Sequence, residues 1–232
     1  MNIRKNISTL HLPHNKHTAG VSSVRIAPPQ EVILPLSMHS GAPAVPVVNA
    51  GDYVRVGQLI AEEGGNISSP VYASVSGTVK AIEPFEKPNG KSVMAIRIES
   101  DGKMEKDPNL APPEVHDLDT FLAAVRKSGV VGLGGAAFPL WAKLDAVRRN
   151  KVDTVLVNGA ECEPYITSDH RMMVENTDML VKGVELLKKY VSDSVALWQD
   201  SVDQLNVSAI GSVVGTHAGP GAVAVAFFAA AD

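Results

Sequence analysis

The chain has 232 residues, 45% of them hydrophobic and 20% charged, with a formal net charge of -4. This is the balance of a globular protein rather than a disordered one, and the lack of a long basic run excludes the electrostatic footprint of nucleic-acid binding. The single cysteine, Cys162, excludes an internal disulfide and a cysteine-held iron–sulfur cluster, which takes about four.

Residues 1–32 read as an N-terminal extension. Met1–Leu10 lacks the apolar core of a signal peptide. His11, His14, His17 and His39 are scattered and read as surface or packing residues, not metal ligands. Residues 33–102 consist of short apolar runs cut by turn residues. Val45–Val48, Gln58–Ala61, Val71–Val75, Thr78–Ile82 and Val93–Ile98 are expected strands. Gly51–Asp52, Gly64–Asn66, Ser76–Gly77 and Pro88–Gly90 are expected turns, and the pattern suggests a small β-barrel or sandwich. Residues 103–116, with Pro108, Pro112 and Pro113, read as a linker.

A helix is expected from Asp117 or Asp119 to Lys127, ended by Gly129. A loop of small residues, Gly132–Pro139, leads into a second expected helix from about Leu140 to Arg149. Small residues let backbone N–H groups approach a phosphate, though a tight packing turn accounts equally well for the loop. It is not a P-loop, because no Gly-Lys-Ser/Thr follows, and only Val130–Val131 precede it where a dinucleotide fingerprint has a full strand. Thr154–Asn158 reads as a buried strand and Asp169–Lys189 as a helix, so residues 117–190 form a partial α/β domain. The longest wholly apolar run, Ala222–Ala231, falls short of the roughly 20 residues that span a bilayer. The expectation is a soluble, cytoplasmic chain that meets a membrane only through partners.

Two stretches carry a family resemblance. Val48–Ala61 followed by Val71–Val79 resembles a biotinyl/lipoyl-type barrel-sandwich hybrid. A carrier of that type needs a lysine at the hairpin tip, and no lysine occurs between Arg55 and Lys80, so the barrel reads as structural. Gly132-Leu-Gly-Gly-Ala-Ala-Phe-Pro139, taken with Asn158-Gly-Ala-Glu-Cys-Glu-Pro164, Asp169 and Arg171, resembles the flavin subunit of respiratory complex I. Together with His39-Ser-Gly-Ala-Pro-Ala44 and the barrel, these motifs are closer still to the C subunit of the Rnf complex. The fold expected is α+β and multidomain, a barrel-sandwich hybrid followed by part of a flavin-binding α/β domain.

The resemblance implies that Gly132, Gly134, Gly135 and Ala136 cradle FMN. It further implies that Phe138 stacks near a nicotinamide, that Lys143 reaches the phosphate side and that Asn158 faces the isoalloxazine edge. Glu161 and Glu163 would line the flavin and NADH pocket. Leu133 and Ala160 stand where complex I has an arginine and an aspartate. No catalytic side chain, metal site or iron–sulfur cluster is implied for this chain. The implied role is that of a peripheral subunit, or a truncated piece of one, on the inner face of the bacterial cell membrane. It would pass electrons between NAD(H) and the iron–sulfur centres of a membrane-bound ferredoxin:NAD oxidoreductase. An isolated chain is then expected to bind FMN weakly or not at all and to lack turnover. A non-catalytic scaffold is the alternative. Residues 191–232 form an atypical apolar tail whose Leu205–Phe228 resembles the end of DegV-type fatty-acid-binding proteins, making lipid binding a distant third reading.

Overall fold

The computed structural model describes residues 15–88, 90–133, 136–148, 156–157, 161, 165–192 and 225–226. Among these, nine strands and four helices run in chain order: β1 (Glu31–Pro35), β2 (Val45–Pro46), β3 (Tyr53–Val54), β4 (Leu59–Glu62), β5 (Val71–Tyr72), β6 (Gly77–Glu86), β7 (Ser92–Ser100), α1 (Leu118–Ser128), α2 (Leu140–Leu144), β8 (Leu156–Val157), α3 (Ser168–Glu175), α4 (Thr177–Ser192) and β9 (Val225–Ala226).

Two sheets make the barrel. One has the order β1-β7-β6-β3 and the other β2-β4-β5. All their pairings are antiparallel. Alternating apolar positions send Val54, Ile60, Val79, Ile96 and Ile98 inward, each no more than 1% exposed. The β6 register slips between Val79 and Ala81, a bulge that bends the long β6–β7 hairpin across the core. Gly77, expected in a turn, instead opens β6. At φ 154° it lies so close to the neighbouring strand that an added Cβ would stand 1.9 Å from the Glu99 carbonyl oxygen.

The sequence pattern missed β1 and β3. Tyr53–Val54 is too short to alternate, and β1 carries an unbroken Val-Ile-Leu run. The expected linker is pinned along the barrel. Val56 donates to the Glu105 carbonyl at 2.8 Å and accepts from Asp107 at 3.0 Å. Tyr53 donates its hydroxyl to Asp101 and Glu105, and Arg55 pairs with Glu105 at 2.8 Å.

The second core gathers Phe121, Leu122, Leu144, Val147, Tyr190 and Val191. Phe121 stacks on Tyr190 with ring centroids 4.8 Å apart. Helix α1 begins where Asp117 accepts from the Thr120 amide, and it ends at Gly129 in the left-handed conformation. Two expected helices differ in extent. The helix after the loop stops at Leu144 and tightens into a 3-10 turn, Asp145–Arg148, in which Asp145 pairs with Arg148 three residues on. The helix expected over Asp169–Lys189 is two helices. Asn176 leaves helical geometry (φ -128°, ψ 36°), and the Thr177 hydroxyl turns back to the Met173 carbonyl at 2.7 Å. The N-terminal extension packs on α3: Lys16 donates to the Ile166 carbonyl at 2.8 Å and Arg171 to that of Ala19 at 3.0 Å. Strand β8 pairs antiparallel with β9. Of the stretch Leu205–Phe228 that resembles fatty-acid-binding proteins, Val225–Ala226 is described as β9, and Gly215–Gly221 lies outside the described residues.

Candidate functional site

The loop expected to hold the flavin is closed by backbone bonds. Gly132 donates to the Phe138 carbonyl at 3.1 Å, and Leu140 donates to that of Val130 at 3.0 Å. Val131 and Pro139 form an antiparallel bridge between the two legs. The loop is therefore a tight hairpin of small residues rather than a continuation of the short helix behind it. Ala137 sits at φ 47°, in the left-handed region, where a non-glycine residue costs roughly 1–2 kcal/mol.

Among the expected site residues, Gly132, Ala136, Phe138 and Lys143 come together on this hairpin and the first turn of α2. Ala136 is exposed and Phe138 half-buried. Lys143 reaches back over the hairpin: an added Cβ on Gly132 would stand 3.9 Å from its Nζ and 3.9 Å from the Phe138 carbonyl oxygen. The Lys143 side chain is exposed, and none of the ion pairs or hydrogen bonds among the described residues uses its ammonium. Small residues beside an uncommitted cation are the donor set that a phosphate monoester requires. On this observation the residues fit FMN at its phosphate end.

Glu161 is half-buried and engaged with α3. It accepts from the His170 amide at 3.0 Å and faces the Ser168 hydroxyl at 3.4 Å. A carboxylate on the first turn of a helix is favourable, since free N–H groups and the helix dipole both point at it. Its observed contacts are thus structural, toward the start of α3. Gly134, Gly135, Asn158 and Glu163 lie outside the described residues, as does Cys162.

The sequence reading missed the residues that join the hairpin to the barrel. The Ser40 amide donates to the Ala137 carbonyl at 3.1 Å, and the Ser40 hydroxyl donates to that of Ala136. Trp141 Nε1 donates to the Ser68 carbonyl at 3.2 Å. Ser69 donates to the Gly129 carbonyl at 3.1 Å, and Tyr72 to that of Lys127. Arg126 forks onto Glu63, Nε 2.9 Å from Oε1 and Nη2 2.7 Å from Oε2, while its guanidinium carbon lies 4.2 Å from the centre of the Trp141 ring. The hairpin tip that bears the modified lysine in a carrier barrel is here docked against the loop and carries Glu63. Behind it, His39 is buried, with Nε2 at 2.9 Å from the Ala42 carbonyl oxygen and 3.1 Å from the Ser68 hydroxyl. This is the packing role expected of it. The only sequence signal for these contacts was the Ser-Gly-Ala-Pro run after His39.

A cavity of about 350 Å³ lies between the N-terminal extension and α3. Its charged groups, Arg171 and Glu175, are paired with each other at 2.5 Å. Glu175 also accepts from the Ser23 amide at 2.8 Å. The Ser23 bonds, with the Arg171 pair second, hold the Glu175 carboxyl down at about 2.

Comparison with known proteins finds two family matches along the chain. Residues 7–103 match the RnfC barrel sandwich hybrid domain, and residues 125–198 match the Nuo51 FMN-binding domain. The chain is 44% identical over 186 residues to the C subunit of the Na(+)-translocating ferredoxin:NAD(+) oxidoreductase complex of Acetobacterium woodii, covering 78% of this chain and 42% of that protein. It is 42% identical over 181 residues to the C subunit of the proton-translocating ferredoxin:NAD(+) oxidoreductase complex of Clostridium ljungdahlii, covering 76% of this chain and 39% of the relative. It is 38% identical over 213 residues to the C subunit of the ion-translocating oxidoreductase complex of Pseudomonas aeruginosa, covering 89% of this chain and 27% of the relative. The chain thus spans less than half the length of these relatives.

Proposed function

We propose, from the match of residues 7–103 to the RnfC barrel sandwich hybrid domain and of residues 125–198 to the Nuo51 FMN-binding domain, that this chain is the FMN-holding part of the C subunit in a membrane-bound ferredoxin:NAD oxidoreductase. Bound FMN supplies exchange between the hydride of NAD(H) and the single electrons of iron–sulfur centres. This chain's own residues bind and orient it. The backbone of the hairpin from Gly132 to Phe138 faces the phosphate, and Lys143 neutralises it from the first turn of α2. Phe138 supplies an apolar face for the nicotinamide side, and the family motif assigns Asn158 to the flavin edge and Glu163 to the pocket lining. The one cysteine within these 232 residues is too few for a cysteine-held cluster. Among the described residues no helix is long and apolar enough to cross a membrane. The chain sits on the cytoplasmic face of the complex through its contacts with other subunits.

The observation that carries this reading is the uncommitted ammonium of Lys143 beside Gly132. A hydrogen bond to a charged group is worth about 1.5–3 kcal/mol, or roughly 10- to 100-fold in affinity. Lys143→Gln is expected to lower FMN affinity by that factor while leaving riboflavin, which lacks the phosphate, unaffected. Paired FMN and riboflavin titrations test this. Equal losses for the two flavins place Lys143 away from the phosphate.

A further inference from the structure

We propose that the barrel is the positioning element of the flavin hairpin: its Ser40 loop and its Glu63–Ser69 hairpin tip hold the two legs of that hairpin, residues 130–133 and 136–141, in the ligand-ready conformation. This inference rests on reading that hairpin as the flavin site.

Three observations converge. First, the conformationally expensive residue of the hairpin, Ala137 at φ 47°, is the one whose carbonyl the barrel grips, through the Ser40 amide at 3.1 Å. A left-handed alanine persists only where its surroundings over-determine it, and the Ser40 hydroxyl adds a second tie at Ala136. Second, both legs of the hairpin are fastened to the same barrel tip. The Gly129 carbonyl, just before the first leg, accepts from Ser69, and Trp141, just after the second, donates to Ser68. Third, the tip carries a half-sheltered charge, Glu63 at 23% exposure, satisfied by the Arg126 fork on which Trp141 lies. A carboxylate so placed loses much of its water on docking, so its partner sets where the tip can sit. The tip is thus a fixed strut against the flanks of the hairpin.

Amide hydrogen exchange on the full chain tests the proposal. Glu63→Gln, which breaks the Arg126 pair, and Ser40→Ala, which removes the hydroxyl tie to Ala136 and keeps the amide tie to Ala137, are expected to speed exchange of the Gly132 and Leu140 amides about tenfold, the equivalent of roughly 1.4 kcal/mol of lost closure. The Ile96 and Ile98 amides in the barrel should not change. Lys80→Gln, which removes an exposed barrel ion pair with Glu99, is expected to alter neither set. In parallel, FMN affinity should fall about tenfold in the first two variants. Unchanged exchange at Gly132 and Leu140 in both variants overturns the proposal. If Glu63→Gln also exposes Ile96 and Ile98, it has unfolded the barrel, and Ser40→Ala alone decides. A parent that takes up no FMN sinks the flavin reading, while the exchange comparison still decides whether the barrel holds the hairpin.

Discussion

Gly129→Ala, set against Gly102→Ala, measures how tightly the barrel and the helical half are joined. The two glycines have nearly the same backbone, φ 69° and φ 71°. Placing a side chain in that left-handed region costs about 1 kcal/mol at either position. Their surroundings differ. Nothing lies within 4 Å of an added Cβ at Gly102, whereas at Gly129 it would stand 2.9 Å from the Pro70 carbonyl oxygen and 3.3 Å from Tyr72 Cε2. Both neighbours belong to the docked barrel, and Pro70 presents backbone that cannot rotate away. Forcing that contact apart adds about 1–3 kcal/mol, the usual cost of overpacking. Gly102→Ala is therefore expected to cost about 1 kcal/mol and Gly129→Ala about 2–4 kcal/mol. Urea unfolding by circular dichroism gives both values. Trp141 fluorescence in a Trp198→Phe background shows whether the halves melt together, as docked halves should. Equal costs for the two alanines, or separate transitions in the parent, refute the interface.

Further outcomes follow from other parts of the structure. Intact-mass measurement on protein from its native host is expected to show no biotinyl or lipoyl adduct, because the tip lacks a lysine and is docked; an adduct mapped to residues 55–80 contradicts this. Gly134→Val is expected to abolish flavin binding while the circular dichroism of the barrel is retained, since a β-branched side chain fills the space a phosphate needs; binding as tight as the parent's removes the hairpin from the site. The Asp101 carboxyl is held at about 2, below its ordinary 3.8, chiefly by the Ser76 hydroxyl and then by the Lys103 amide and the Tyr53 hydroxyl. Because the folded value is the lower one, the stabilisation is complete above about pH 3.8 and is lost as pH falls through about 2. Asp101→Asn should accordingly lower the melting temperature at neutral pH and flatten its fall between pH 4 and 2; an unchanged acid limb means the linker is not latched there.

The barrel was legible because its signals are local. Gly51–Asp52 and the alternation through Val71–Val79 survive in the strands and core that form. Helix α1 was legible for the same reason, with Asp117 and Gly129 marking its ends. Helix lengths were misread where a polar break interrupts an apolar period. Asn176 splits α3 from α4 although Met172, Met173, Leu180 and Val184 keep the spacing. In the site, Gly132 and Lys143 could be named from the motif, whereas Ser40, Glu63, Ser68 and Arg126 could not. Ser40 and Ala137 are far apart in sequence, and no local pattern marks a serine as the donor to a distant carbonyl. Glu63 pairs with Arg126, 63 residues further along the chain, a separation at which no local pattern marks the partner.

The central claim is that the Gly132–Phe138 hairpin with Lys143 receives the phosphate end of FMN. Amide chemical-shift mapping of the full chain during FMN titration tests it directly and works even for weak binding. The expected result is saturable shifts at Gly132, Leu133, Ala136, Phe138 and Lys143, absent with riboflavin at Gly132 and Lys143 and lost in Lys143→Gln. An absence of shifts at these positions at high FMN, or shifts centred on the cavity beside α3, would contradict the account.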